Sequence, residues 1–500
     1  MVTMTLRTVK KATEGKILRG KPNQELTGIS TDTRTLTPGD LFLAIQGEQH
    51  DAHDFLSDAA RLGAGAAVVH RKDAAQSVPD LPLVMVRDTT RALGDLAHWH
   101  RKQYPATVIA ISGSNGKSTT KDMLFHILDG VLPTARSIKS YNNAIGVPLT
   151  LFQIRPTHVF AVVEMGTNSP GEIARLCEIA DPVVGLLTNV SGTHLERLGS
   201  EEGVAREKSV LLKHTAWREG AFYNADDYWS REIAKKTKGT LSSFGIDNQA
   251  ELRAFKPHSY ASGISFKVRN GGPRIHIPIA GQHNAMNALA AIAVARKQGI
   301  DWTTIAERLA TFKLPSMRME LSTHSGVTIV NDAYNSNPVS LEAAAKTLHD
   351  VQCRGRRILV VADMLELGER SVEAHRNLGE TVATFKFDYL LGIGPNTSEL
   401  LGSAAEHGMS EDELLLAGSK QELAQALLDL LEPGDVVLFK GSRSMKLEEV
   451  VEQVQNGLGA VDRREPEVPA FEPYLPAPVG EDDKRAAGAR EGSPVGRMVG

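Results

Sequence analysis

Short apolar runs, five or so residues long, recur along the chain between stretches whose apolar positions fall at helical spacing. In the first hundred residues the runs lie at 41–45, 66–69 and 83–86, and helical stretches at 55–62 and 90–100 interleave with them. A second series begins at 108–111 and continues at 159–163, 183–189 and 221–224. A third follows at 328–331, 358–362, 389–393 and 436–439. Runs this short, set between helices, predict strands covered on both faces, which is the habit of parallel sheets. The expected class is α/β, in three domains. Their bounds fall at 1–103, 104–315 and 316–460, with "QYP" at 103–105 and Pro315 of "KLPSMRME" as the joints. Residues 461–500 are rich in proline, glycine and charge; they cannot bury enough apolar surface to offset ordering and are expected to be disordered.

Composition removes several classes of function. Lys and Arg number 56 against 60 Asp and Glu, so no basic excess points to a nucleic-acid partner. No apolar stretch approaches the roughly 20 residues that span a bilayer, so membrane insertion is not expected. The first residues, "MVTMTLRTVKKATEGK", have no apolar leader core, and the expected location is the cytoplasm. Cys177 and Cys353 are far apart and lack the paired spacing of a zinc site, which predicts two reduced thiols.

The strongest chemical signal is "TVIAISGSNGKSTTKDML" at 107–124. A strand runs into a glycine-rich turn (Gly113, Ser114, Asn115, Gly116), and then a helix opens with Lys117, Ser118 and Thr119. Glycines let backbone N–H groups approach an anion, and the helix start adds unpaired N–H groups and a positive dipole end. Lys117 supplies a point charge for terminal phosphates, and Ser118 a hydroxyl for Mg²⁺. The longer P-loop pattern needs glycine five residues before Gly116, where Ile111 stands, so the loop is a compact variant.

Further strand ends are polar. "VFAVVEMGTNSPGEIA" carries Glu164 next to the loop, either as a hard oxygen ligand for Mg²⁺ or as a cap for a neighbouring element. "VVGLLTNVSGTHLERLGS" places His194 past another strand, structural or a contact to metal or phosphate. Lys208, in "GVAREKSVLLK", reads from its neighbours as a lysine on a solvated helix face. "GQHNAMNALAAIAVA" opens a helix with Asn284 and Asn287 on one face, suited to an adenine edge or to capping. "IVNDAYNSNPVSLEAA" gathers Asp332, Asn335 and Asn337 at one strand end, and Lys440, Ser442 and Arg443 follow the last strand in a turn suited to a carboxylate. A triphosphate site flanked by two further sets of polar strand ends points to joining chemistry rather than simple hydrolysis. A silent nucleotide-binding scaffold and a motor ATPase are the rivals from other classes.

Eight stretches in order, over about residues 25–455, resemble the Mur ligases, ATP-dependent amide ligases of peptidoglycan assembly. They are "STDTRTLTPGDLFLAIQGEQHDAHDF", "GSNGKSTTKDM", "YNNAIGVPLTL", "EMGTNSPGEI", "GQHNAMNALAA", "NDAYNSNPVS", "ADMLELGE" and "FKGSRSMKLEEVV". Within these ligases the chain looks most like the family that joins D-Ala-D-Ala to UDP-N-acetylmuramoyl-tripeptide; the "DNPR" stretch of the sister that adds the third stem residue is absent. A sibling such as folylpolyglutamate synthase is the nearest alternative. The resemblance implies a UDP-substrate domain, a P-loop-type ATPase domain and a Rossmann-like domain, in that order. It implies ATP, Mg²⁺, the UDP-linked tripeptide and D-Ala-D-Ala as ligands; a monomer is expected. By position, Lys117 meets the β,γ-phosphates, Ser118 (or Thr119) and Glu164 hold one Mg²⁺, and His194 helps hold a second. Lys208 matches a lysine that is carbamylated in this superfamily, which reverses the solvated-face reading. Asn287 matches an adenine contact, while Arg318 and Asp332 reach the nucleotide from the third domain. Ser30, Asp32 and Arg34 fall in the stretch that binds the UDP end. Asn142, Asn143, Asn335, Asn337, Lys440, Ser442 and Arg443 fall to the peptide substrates. Three departures stand out: the stretch around His194, "VSGTHLERLGS"; "AREKSVLL" where an "AKGE" pattern is usual; and Ala362 in place of the common glycine before "DMLELGE".

Overall fold

The computed structural model describes residues 3–459, apart from 48–49, 74–75, 139, 261–262, 270–271, 280, 315 and 352. Pro315 and the 461–500 tail, both invoked above, lie outside the described residues.

Successive residues of the central apolar runs enter opposite cores. In the strand Thr107–Ser112, Ile109 and Ile111 join one hydrophobic cluster while Val108 and Ala110 join another. In the strand Arg357–Ala362, Leu359 and Val361 face one cluster and Ile358 and Val360 its opposite. A strand whose two faces are both apolar is stable only with helices on each side, so the sheets are parallel at their centres. The α/β reading is therefore correct.

Three larger sheets follow in chain order. The first has five strands, ordered Lys16–Arg19, Leu83–Met85, Ala66–Val69, Asp40–Leu43, Gly28–Ser30, with only the Lys16–Arg19 edge antiparallel. The second has nine, with Thr107–Ser112 between Val184–Leu187 and Phe160–Glu164, both parallel to it. Its far edge, Leu252–Tyr260, Gly263–Val268 and Arg274–Ile277, is an antiparallel meander that lies outside the apolar runs of the sequence. In the third, of six strands, Val436–Lys440 lies between Val327–Asn331 and Arg357–Ala362.

Side-chain packing ties the first sheet to the second. Helix Thr89–Arg101 packs on helices Gly146–Leu151 and Glu172–Ala180. Asp181, just past the last of these, binds Lys102 from the first segment and Arg218 Nη1 at 2.6 Å. Those two cations outweigh the effect of burial and hold the Asp181 carboxyl down at about 2. Helix Gln282–Lys297 is buried nearly all round; its alanine-rich surface lets it pack closely on helix Lys117–Asp129. Cys177 is buried and Cys353 half-buried, and neither forms a disulfide. Among the described residues no helix is long and apolar enough to cross a membrane.

Candidate active site

The glycine turn leaves the central strand of the nine-stranded sheet and enters helix Lys117–Asp129. Gly113 and Gly116 have φ of 148° and 79°, in the region that favours glycine. Space demands them too. A Cβ on Gly113 would lie 1.9 Å from Thr188 Oγ1, and one on Gly116 2.2 Å from Asn287 Oδ1. Asn189, past the neighbouring strand, braces the turn from below: its Oδ1 accepts from Asn115 N at 2.9 Å and its backbone oxygen from Ser114 N at 2.9 Å. No side chain caps the new helix, so its first N–H groups keep the anion-binding character that helix starts have.

Two lysines converge on this turn. Lys117, half-buried, curls back so that Nζ donates to the Gly113 and Ser114 carbonyls at 2.8 and 2.9 Å. Lys208 Nζ donates to the same Gly113 carbonyl at 3.1 Å. Lys208 is 1% exposed, so the solvated-face reading taken from its neighbours alone is wrong. Its helix, Glu201–Thr215, is turned by Glu207, whose carboxylate accepts from Gly171 N and Ile173 N at 2.8 and 2.7 Å. Glu207 thereby caps helix Glu172–Ala180, and the part of Glu201–Thr215 that carries Glu207 and Lys208 meets protein instead of water. Burial first, then the charge of Lys117, pushes the Lys208 amine well below the usual lysine range. Burial likewise lowers Lys117, with Glu164 opposing it.

Glu164 is the last residue of its strand, opposite Ile111 in register, and 1% exposed. Its Oε1 accepts from Asn142 Nδ2 at 2.9 Å, while its buried Oε2 has no hydrogen-bond partner. Asn143 Oδ1 accepts from Gly146 N at 2.9 Å, at the start of the next helix. Ser118 Oγ lies 3.3 Å from Ser140 Oγ and accepts from Arg318 Nη2 at 3.0 Å. Thr119, on the same first turn, is buried. His194 has φ of 54°; its Nδ1 is 2.7 Å from Glu366 Oε2, a residue of "ADMLELGE" that also has positive φ. That carboxyl is held below its ordinary range mainly by its hydrogen bond to His194.

The strand ends of the third sheet face the turn directly. Asn337 caps helix Pro338–Asp350 in a reciprocal box with Ser340, and its Nδ2 donates to Asn115 Oδ1 at 2.7 Å. Asp332 accepts from Lys440 Nζ at 2.6 Å and from Met319 N at 3.1 Å. Lys440 also reaches the Asn335 carbonyl at 3.1 Å, and Asn335 Oδ1 accepts from Arg443 N at 3.3 Å. Arg318 stacks over Tyr334 at 4.1 Å, which aims its guanidinium at Ser118. Asn287 donates to Asn284 Oδ1 at 3.2 Å, the one-face pairing that their spacing predicts.

These groups enclose one cavity of about 740 Å³, lined from all three segments, with Thr90 the contribution of the first. Ser30, Asp32 and Arg34 do not line it. They sit at the end of strand Gly28–Ser30, where Arg34 Nε and Nη2 bind the Asp32 carboxylate at 2.9 and 2.6 Å. Ser442 is buried and accepts from Leu365 N at 2.9 Å, so it braces the "DMLELGE" loop rather than facing the cavity. Sequence reasoning left Ser140, Asn189 and Glu366 out of the candidate site. Asn189 and Ser140 had a signal, a polar residue just past a strand or beside "YNN"; Glu366 is brought to His194 only by the packing of distant segments.

Comparison with known proteins agrees with this geometry. Family models match in three consecutive blocks: the Mur ligase family catalytic domain at residues 25–101, the Mur ligase middle domain at 111–295, and the Mur ligase glutamate ligase domain at 317–443. The chain is 33% identical to the UDP-N-acetylmuramoyl-tripeptide–D-alanyl-D-alanine ligase of Bacillus subtilis over 463 residues, covering 91% of this chain and 99% of that one. Among solved structures it resembles MurF from Acinetobacter baumannii, with a TM-score of 0.84, 30% identity, and 91% and 99% of the two chains covered. It also resembles the MurF ligase of Thermotoga maritima in complex with ADP, with a TM-score of 0.74, 27% identity, and 86% and 97% covered.

Proposed function

The chain belongs to the Mur ligase family, and from that premise we propose that it joins D-Ala-D-Ala to UDP-N-acetylmuramoyl-tripeptide at the expense of ATP. One observation carries the reading: a phosphate-binding turn on one sheet and cationic strand ends on another close around a single cavity, bridged by the Asn337–Asn115 and Arg318–Ser118 contacts. A hydrolase needs only the first of these; a ligase must hold the acceptor as well. The match to the Bacillus subtilis ligase over 91% of the chain favours this acceptor over that of a folylpolyglutamate synthase.

A carboxylate is a poor electrophile, because its charge repels a nucleophile. In the proposed reaction a carboxylate oxygen of the tripeptide attacks the γ-phosphorus of ATP, the bond to the β,γ-bridging oxygen breaks, and ADP leaves. The acyl phosphate formed is attacked at carbon by the free amine of D-Ala-D-Ala; phosphate departs and the amine loses a proton. Here the protein's work is positioning and charge neutralisation. Gly113, Ser114, Asn115 and Gly116 cradle the phosphates, and Lys117 swings from its loop carbonyls to the β,γ-oxygens. Arg318 and Asp332 close from the third sheet, and Asn287 borders the adenine. Asn142 and Asn143 flank the tripeptide end, while Asn335, Asn337, Lys440 and Arg443 serve the dipeptide; Ser442 acts by bracing the adjoining loop. Ser30, Asp32 and Arg34 hold the UDP end, away from the reacting atoms, as a long substrate requires.

The donor set suits Mg²⁺. Glu164 presents a buried oxygen with no hydrogen bond, and Ser118 (or Thr119) a hydroxyl on the first helical turn. One carboxylate suffices when phosphate oxygens complete the shell, as is usual for Mg²⁺. Bound there, Mg²⁺ neutralises charge on the transferring group. For a second ion, His194 would offer Nε2 while Glu366 fixes its ring through Nδ1. Lys208 fits carbamylation: burial disfavours the charge on its amine, and the uncharged amine can add CO₂, losing a proton, to become an anion beside the phosphate turn. The same reading assigns residues 1–103, 104–315 and 316–460 to UDP substrate, ATP and ligation, and takes the protein as a cytoplasmic monomer.

The purified protein should release phosphate from ATP only when UDP-N-acetylmuramoyl-tripeptide and D-Ala-D-Ala are both present. Phosphate release driven by a folate and glutamate instead, or by neither substrate, would overturn the assignment.

A further inference from the structure

One turn above Lys117 on the same helix face lies Lys121, and it is 1% exposed. Lysines are almost never buried to this degree unless paired. The Lys121 ammonium lies 3.7 Å from Glu164 Oε2 and 3.5 Å from Asp122 Oδ1. Asp122 in turn binds Arg136 Nη1 at 2.7 Å. The Arg136 guanidinium stacks over Phe125 at 4.1 Å and reaches solvent, its side chain 41% exposed. A line of alternating charge thus runs from the cavity wall outward: Glu164, Lys121, Asp122, Arg136. Burial pushes the Asp122 carboxyl up, and Lys121 and Arg136 work against that.

At 3.7 Å the Lys121–Glu164 contact is charge pairing without a hydrogen bond. Oε1 is already occupied by Asn142, while Oε2 faces the Lys121 charge and accepts no hydrogen bond. A buried carboxylate with no cation nearby is costly. From this geometry we propose that Lys121 is the internal counter-charge of Glu164, a positioning residue that holds the carboxylate ready in the cavity wall and whose electrostatic role a divalent cation takes over on binding. The proposal rests on the reading of Glu164 as a metal ligand. Lysine and divalent cation are then alternative partners of one oxygen. By linkage, loss of the lysine must cost more stability without the cation than with it, and the cation must bind the variant more tightly.

The test uses Lys121→Met in the full chain. The thermal midpoint is measured alone and with saturating Mg²⁺ and ADP, and Mn²⁺ binding in the presence of ADP is followed by electron paramagnetic resonance. The variant should melt well below the parent when alone, the gap should narrow with Mg²⁺ and ADP, and Mn²⁺ should bind about tenfold more tightly. Lys121→Arg should restore the parent's behaviour. A purely structural lysine would leave the gap equal in both conditions and Mn²⁺ affinity unchanged; either result, or weaker Mn²⁺ binding, overturns the proposal. Should Lys121→Met not fold, the double variant Lys121→Met/Asp122→Asn removes the second buried acid, and the same contrast is expected of it. Glu164→Gln separates the two readings. If it binds Mn²⁺ as the parent does, Glu164 is no ligand; if it loses Mn²⁺ while Lys121→Met matches the parent, only the Lys121 proposal fails.

Discussion

Lys117→Ala should lower kcat/KM for ligation by about 10³-fold, a loss of about 4 kcal/mol of transition-state stabilisation. Lys117 stands on the phosphate turn itself with its Nζ on loop carbonyls rather than on a carboxylate, so it is free to follow the phosphates. Charge moves off the γ-phosphoryl group during transfer, and a point charge aimed there counts most in the transition state. Steady-state kinetics checks this. The fall should lie mainly in kcat, and Lys117→Arg should not repair it, because a planar guanidinium fork does not reproduce a compact ammonium point charge. A variant within tenfold of the parent would show that the turn binds phosphate without taking part in its transfer.

Lys208→Ala should lose ligation by at least about 10²-fold, and formate or acetate should restore part of it. The amine sits beside Lys117, both donate to the Gly113 carbonyl, and charge on one disfavours charge on the other. Addition of CO₂ turns that repulsion into attraction, which is why the carbamate reading fits a lysine whose burial already disfavours its charge. Lys208→Arg should stay inactive with added carboxylate, since the guanidinium fills the space the small acid needs. Full activity of Lys208→Ala without any carboxylate would remove the carbamate from the account.

Much of the fold was legible because strands covered on both faces leave a plain trace. The runs at 108–111, 358–362 and 436–439 are observed as the strands Thr107–Ser112, Arg357–Ala362 and Val436–Lys440. Edge elements left less. Lys16–Arg19 and Thr134–Arg136 are short, and their charged residues look like loop. In the meander, Arg274–Ile277 alternates in exposure, and Gly263–Val268 has Ser265 and Lys267 among its apolar residues, so neither strand offers a continuous apolar stretch.

The site divides the same way. Gly113 and Gly116 were readable because local conformation and close packing both exclude a side chain there. Lys208 was not, since its burial depends on Glu207 turning one helix onto the start of another 30-odd residues earlier. Only the resemblance to a family singled it out. The partnership of His194 with Glu366 is legible in neither stretch, because it forms when two loops from different sheets meet. Ser442 shows the opposite error: a residue in a motif was given to the substrate, yet it serves the loop beside it.

In the proposed reaction a carboxylate receives a phosphoryl group before the amide forms. The most direct test is to label both oxygens of the tripeptide's terminal carboxylate with ¹⁸O and follow them through one round of ligation. Attack on the γ-phosphorus followed by loss of phosphate must carry one labelled oxygen into each inorganic phosphate released and leave the other in the new amide. Phosphate free of label, with the product formed all the same, would contradict the account.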